Sequence, residues 1–303
     1  MYELQSKDEK IMPKVSVLMP VYKTKEAYLR EAIESILNQS FTDFEFLILD
    51  DCPEDNREEI VKSYHDARIK YSKNEHNLGI TPSRNKLIDM AKGEYLAVFD
   101  HDDISLPERL EKEVAYLDAH PEVGVVSCKI KNMMRGTYSE CLENDHEIKL
   151  ALMSVCAISH SAAMIRKSVL TKNNVRYEEE YSPAEDYALW SRLIGVTKFH
   201  NLPEVLFHYR DHENNTTHHQ AEKMKQAGYA VWAFVRAANP ALYEEFLLKA
   251  KQTTRVNLFG IIPFLTITHQ GNRTKVYLFE KIPLLTSKMT IKLKNEIVLK
   301  REK

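Results

Sequence analysis

"EYLAVFDHDDISLPERL", residues 94–110, passes from an apolar run into three carboxylates within four positions, Asp100, Asp102 and Asp103. Like charges set so close repel one another unless a cation sits among them or the side chains fan out into water. The run itself, "EYLAVFD" (94–100), is short, apolar and rich in branched and aromatic residues, as strands buried on both faces are. "VSVLMP" (15–20) and "EFLILD" (45–50) share that character. Segments of helical period lie between them. In 25–38, Leu29, Ala32, Ile33, Ile36 and Leu37 fall on one face; in 107–119, Leu110, Val114 and Leu117 do the same, with Pro107 suited to a first turn. "RIKYS" (68–72) reads as a further strand and 81–92 as another helix. The alternation predicts an α/β fold with a largely parallel sheet and right-handed crossovers, continued by "VGVVSCKI" (123–130).

Past residue 146 the pattern loosens. It predicts a short helix near 146–153, a strand at "AAMIR" (162–166), a helix over 184–194 and a strand at "EVLFHYR" (204–210). One or two helices follow over 217–250, interrupted at Pro240.

A chain of 303 residues admits one large domain or two ordinary ones, and 44% hydrophobic with 28% charged residues is the composition of a globular protein. Cys52, Cys128, Cys141 and Cys156 show no CxxC spacing, so they read as reduced, small core residues. The opening "MYELQSKDEK" is polar and unlike a signal peptide. No apolar run approaches the roughly 18 to 20 residues that span a bilayer; "LFGIIPFL" (258–265) is far shorter. The cytoplasm is the expected compartment, and no nucleic-acid partner is expected.

The net charge of −2 hides an asymmetry: from Lys251 onward the chain carries about +8, and the body before it about −10. The tail also carries a repeat, "VNLFGIIPFLT" (256–266) and "VYLFEKIPLLT" (276–286), at an offset of 20 residues. Two copies are too few for a solenoid, which takes about three. The copies read as paired strand-like segments, or as an apolar and basic patch with Lys275, Lys281, Lys288, Lys292 and Lys294. Such a patch either docks on the inner face of an anionic membrane or packs as a small subdomain.

In an open α/β sheet, ligands bind outside the carboxyl ends of the strands. Three runs end suggestively there, in "PVY" (20–22), "DDCPED" (50–55) and "DHDD" (100–103). Parallel strands would bring all three to one crevice. Four or more carboxylates converging in a cleft call for a divalent cation, and hard oxygen ligands suit Mg²⁺ or Mn²⁺ bridging to a diphosphate. GxxxxGK[ST] and GxGxxG are both absent, so metal and basic side chains would hold that diphosphate. "NLGITPSRNKLIDMAKGEYL" (77–96) offers Arg84 for that task. His208 and His212 lack an HExxH context and do not read as a zinc site.

"VSVLMPVYK", "LILDDCPED" and "NLGITPSRNKLIDMAKGEYLAVFDHDD", in that order and spacing, resemble the family 2 glycosyltransferases of GT-A fold. The resemblance continues through "SAAMIRKSVL" (161–170), "SPAEDYALWSRL" (182–193) and "HYRDHENNTT" (208–217). It implies a Rossmann-like, mixed but mostly parallel sheet flanked by helices over residues 14–217, after a polar extension at 1–13. A helical segment (218–255) and the basic tail (256–303) would follow. It further implies an inverting transferase that moves a sugar from a UDP-sugar to a hydroxyl of an oligosaccharide or lipid-linked glycan. The expected setting is bacterial lipopolysaccharide or capsule synthesis.

By position, the resemblance places Pro20, Val21 and Tyr22 against the base and ribose, and Asp51 on the uracil imide. Arg84 would approach the uracil or phosphates, and Asp100 the ribose or a metal-bound water. Asp102 would be the direct ligand of Mn²⁺ or Mg²⁺, with His212 as a further metal or phosphate contact. Asp186 would be the catalytic base and Glu185 would face acceptor hydroxyls. Departures are Cys52 and Pro53 where Gly-Ser is common, Ser83 before Arg84, and His101 inside the acidic motif. A haloacid dehalogenase-type phosphatase is the rival use of such a strand-end motif, but "FDHDDIS" lacks the Thr or Val expected two positions after the second Asp. A non-catalytic nucleotide- or glycan-binding module would have no need of both acidic motifs.

Overall fold

The computed structural model describes residues 12–55, 57–213, 215–250, 253–258, 262–270 and 273–278. The chain divides into two compact units, one ending at Ala238 and one beginning at Asn239. The first opens with β1 (Val15–Val21), α1 (Glu26–Leu37), β2 (Phe44–Asp50), α2 (Arg57–Lys62), β3 (Ile69–Lys73), α3 (Ile80–Met90) and β4 (Tyr95–Val98). It continues with β5 (Ile104–Ser105), α4 (Arg109–Ala119), β6 (Val123–Asn132), α5 (Asp145–Ala151), β7 (Met164–Arg166) and α6 (Lys167–Asn173). It closes with α7 (Glu185–Leu193), β8 (Lys198–Tyr209), α8 (Thr216–His219) and α9 (Ala221–Ala238).

These strands form one sheet in the order β3-β2-β1-β4-β7-β6-β8-β5. The first four are parallel, and β6 is parallel to β8. β7 runs antiparallel to both β4 and β6, and β5 antiparallel to β8. A mixed sheet flanked by helices is the result. β1, β2 and β4 are buried at every position, which is why their sequences show continuous apolar runs without alternation. Leu29, Ala32, Ile33 and Ile36 of α1 join Val17, Met19, Phe46 and Ile48 in the core. Val21 pairs with Asp50 and Leu18 with Val98, so the three central strands end at one edge.

Their other ends are fixed by polar contacts. Ser16 Oγ donates to Glu45 (2.6 Å) and accepts the Gly93 N–H (2.8 Å), while the Lys92 N–H reaches the same Glu45 oxygen (2.7 Å). A Cβ on Gly93 would stand 2.5 Å from the Ser16 backbone nitrogen, so only glycine lets the chain enter β4 there.

Beneath the acidic strand end lies a buried cation. Arg109 of α4 donates from Nη1 to the carbonyls of Val98 (3.2 Å) and Ser161 (3.1 Å), with its guanidinium near the Phe99 and Phe207 rings. One turn on, Glu113 is equally buried, 3.9 Å from Arg109.

The sequence did not announce several elements. α2, α6 and the two-residue β5 are additions, and β8 starts at Lys198, before the apolar "EVLFHYR". The expected helical segment 218–255 is shared by both units, because the chain breaks at Asn239 between α9 and α10 (Pro240–Ala250). The second unit continues as a three-stranded antiparallel sheet, β11-β10-β9, from β9 (Thr253–Leu258), β10 (Ile262–Gln270) and β11 (Arg273–Leu278). The first repeat copy folds on itself, Val256 opposite Leu265. The second starts on β11, Val276 opposite Ile267. Its remainder, Lys281, Lys288, Lys292, Lys294 and the polar stretch 1–11 lie outside the described residues. Among the described residues no helix is long and apolar enough to cross a membrane, and all four cysteines are free.

Burial pushes the Glu113 carboxyl up from 4.5 to about 8, against the opposing pull of Arg109. Between those values the folded chain holds a proton that the unfolded chain has released, so stability falls as pH rises through that window. Glu113→Gln is expected to flatten this decline, read as a smaller drop in Tm between about pH 5 and about pH 8 than in the parent.

Candidate functional site

The edge where β1, β2 and β4 end collects the residues singled out from sequence. Pro20 and Val21 are buried in β1, and Tyr22 stands exposed just beyond it. Asp50 at the tip of β2 accepts from the Cys52 N–H and the Tyr71 hydroxyl, both at 2.9 Å. Asp51 is buried beside it and takes three donors: Asn74 Nδ2 (2.7 Å) and the N–H groups of Leu78 and Gly79 (2.8 Å each). Gly79 has φ of 89°, a backbone turn that glycine adopts without strain, and it wraps the chain around Asp51 before α3 begins. A carboxylate has about four acceptor positions, so one remains on Asp51 for a further donor.

After β4, the three carboxylates of "DHDD" separate in role. Asp100 is partly exposed. Asp102 places Oδ2 2.9 Å from His212 Nε2, and His212 stacks on Tyr28 at 5.4 Å between ring centroids. Arg210 ties the loop down: its Nε donates to the Asp102 carbonyl (2.7 Å), its backbone N–H donates to Asp103 (2.7 Å), and its guanidinium pairs with Glu31. Asp103 is buried, and burial with the neighbouring Asp102 and Asp100 pushes its carboxyl well up. It fastens the acidic loop to the end of β8. Pairing of Ile104 with His208 closes the loop from behind.

The third group centres on Arg84, in the second turn of α3. Its Nη1 donates to Glu185 Oε1 (2.6 Å) and its Nη2 to Asp100 Oδ1 (3.3 Å). Burial alone would weaken its charge, yet Asp100 and Glu185 outweigh burial and hold its pKa above the usual range. Glu185, the first residue of α7, is buried against Arg84. Asp186, next to it, accepts the Tyr187 N–H at Oδ1 (2.7 Å) and turns Oδ2 toward Cys156 Sγ at 3.9 Å. Burial first, and Glu185 second, push Asp186 up to about 6, with Arg84 pulling the other way. A carboxylate so tuned accepts a proton near neutral pH.

Asp102 Oδ2 and His212 Nε2, 2.9 Å apart, are two groups of the kind that ligate cations. Among the described residues no group of three or more His, Cys, Asp or Glu forms a cage for one. A carboxylate beside an imidazole fits an ion whose remaining positions come from phosphate oxygens and water, as Mg²⁺ sites commonly do. Sequence reasoning passed over Tyr177 and His160, which pack behind Arg84. Neither carries a motif of its own, although His160 directly precedes "SAAMIR".

Residues 16–173 match the sequence family described as glycosyl transferase family 2. The uncharacterized glycosyltransferase MJ1057 of Methanocaldococcus jannaschii is 35% identical over 72% of this chain and 77% of its own. The minor teichoic acid biosynthesis protein GgaB of Bacillus subtilis is 30% identical over 69% of this chain and 24% of its own length. In fold, the chain is similar to S. aureus TarS in complex with UDP-GlcNAc: TM-score 0.65 and 23% identity, covering 77% of this chain and 71% of the TarS chain.

Arg84→Gln removes a positive charge that restrains Asp186. The Asp186 carboxyl is then expected to titrate above about 6, measured by carboxyl-carbon NMR; an unmoved titration would refute the electrostatic contact.

Proposed function

The chain belongs to glycosyl transferase family 2 and has the GT-A fold, and from this we propose that it moves a sugar from a UDP-sugar to a glycan hydroxyl with inversion. The observation that carries the reading is Asp186: a carboxylate held near neutrality at a helix start, with one oxygen still free of any strong donor. In its ionised form Asp186 takes the acceptor proton as the acceptor oxygen bonds to the anomeric carbon and the bond to the diphosphate breaks. A single displacement of this kind inverts the anomeric centre. Glu185, locked to Arg84, borders the acceptor and raises the proton affinity of its neighbour.

Pro20, Val21 and Tyr22 would flank the nucleotide, with the open acceptor position of Asp51 toward the uracil imide. Asp100 would face the ribose, and Arg84 lies beside it for the uracil or phosphates. Asp102 with His212 would hold Mn²⁺ or Mg²⁺, which when bound neutralises charge on the departing diphosphate. The UDP-GlcNAc bound by TarS supports a uridine nucleotide, and the teichoic acid role named for GgaB supports a bacterial surface polymer as acceptor, while lipopolysaccharide or capsule rests on the sequence resemblance alone. The basic tail would seat the chain on an anionic membrane. Loss of vesicle binding on deletion of residues 256–303 is the expected result, and unchanged binding would dispose of that seat.

The direct test is UDP release across a panel of UDP-sugars, with Mn²⁺ and with EDTA. Turnover is expected for at least one donor, with an acid limb near about pH 6 because Asp186 works only when deprotonated. Asp186→Asn should abolish transfer and keep metal-dependent UDP binding, whereas Asp102→Asn should weaken UDP binding and remove its metal dependence. No turnover with any UDP-sugar would overturn the reading.

A further inference from the structure

Tyr177 lies in the segment between α6 and α7, outside every motif discussed above. Its backbone is clamped from α3: Asn85 Nδ2 donates to the Tyr177 carbonyl (2.9 Å), and the Tyr177 N–H donates to Asn85 Oδ1 (3.1 Å). Its ring lies 5.7 Å from the Arg84 guanidinium carbon, within cation–π range. Its hydroxyl meets His160 Nε2 at 2.8 Å. His160 is buried and sits 5.8 Å from the Trp190 ring of α7, the helix that bears Glu185 and Asp186. Burial, and then Arg84, hold the His160 pKa well down, so its imidazole is neutral and adds no second positive charge behind the guanidinium.

These contacts have one common effect. Arg84 reaches Glu185 and Asp100 with different nitrogens, while its Nε has no hydrogen-bond partner among the described residues. Its hydrogen bonds therefore fix only the tip of the side chain, and the aromatic face behind it sets the rest. We propose that Tyr177 is a positioning residue, clamped by Asn85 and braced by His160, which holds Arg84 between Asp100 and Glu185 and so fixes the field felt by Asp186. The assignment rests on the glycosyl-transfer reading for its effect on rate but not for its effect on Asp186 itself.

The charged and titratable groups facing Asp186 are Arg84 of α3, Glu185 beside it, Asp100 beyond β4 and the Cys156 thiol, and those facing Arg84 add Tyr177 and His160. Loss of the ring lets the guanidinium withdraw, and Asp186 then holds its proton to higher pH. Tyr177→Leu is expected to raise the acid limb of kcat by about one pH unit, and to lower kcat about tenfold with a smaller change in donor KM. Tyr177→Phe keeps ring and clamp but loses the His160 contact, and should move the limb less than Tyr177→Leu. Asn85→Ala should move the limb the same way as Tyr177→Leu. Carboxyl-carbon NMR of Asp186 in the unliganded protein reads the same displacement without turnover. If Tyr177→Leu lowers activity at every pH but leaves both the limb and the Asp186 titration in place, Tyr177 is merely structural and the proposal fails. If the parent transfers no sugar while the titration still moves, the positioning stands and the transferase reading falls.

Discussion

Crowding carboxylates at one edge of a sheet is the constraint around which this site is built. β1, β2 and β4 run parallel and end together, so Asp51 and the acidic loop from Asp100 to Asp103 share one crevice, and Arg84 draws Glu185 of α7 to Asp100. Each negative charge is answered differently. Asp51 receives two backbone N–H groups and Asn74, Asp102 meets His212, and Asp103 takes the Arg210 N–H. Asp100 and Glu185 share Arg84. Asp186 is left with a single backbone N–H and a distant thiol. Asp103 and Asp186 are the two whose proton affinity rises, Asp103 fastened under the loop and Asp186 at the start of α7 with an oxygen free of any strong donor, which is the property a general base needs.

Much of this is legible in the amino-acid sequence. The edge was readable because strands buried on both faces announce themselves as apolar runs, and the polar residues that stop each run sit at its carboxyl end. Asp51, Asp100 and Asp102 were found in that way. Arg84 is offered by its place on the helix just before the acidic strand, whereas Asp186 comes from resemblance, since it interrupts no apolar run. Asp103 had no role in the sequence because its role is the Arg210 N–H, 107 positions away. Tyr177 and His160 are invisible for the same reason, since only tertiary packing gives them partners; Arg109 and Glu113 stand one helical turn apart, but their burial is set by tertiary packing.

Local signals failed where they were weakest. β5 has two residues and exists because β8 lends it an edge, so no periodicity could disclose it. The first four residues of β8, "KFHN", look polar, and their pairing with β6 overrides that composition. The tail repeat was real as a pattern, yet its first copy folds back as a hairpin. An offset of 20 residues marks recurrence of composition and does not dictate which segments pair.

One guanidinium serving two carboxylates has a consequence that reaches past geometry. Asp100 and Arg84 both bear on Asp186, so any occupant that changes the charge at Asp100 must change how tightly Asp186 holds its proton. Linkage is reciprocal: protonating Asp186 must change that occupant's affinity by the same factor. Binding on one side of Arg84 and acid–base state on the other are one free energy read from two ends. Ligand affinity measured across pH therefore reports on Asp186 before any bond is made or broken.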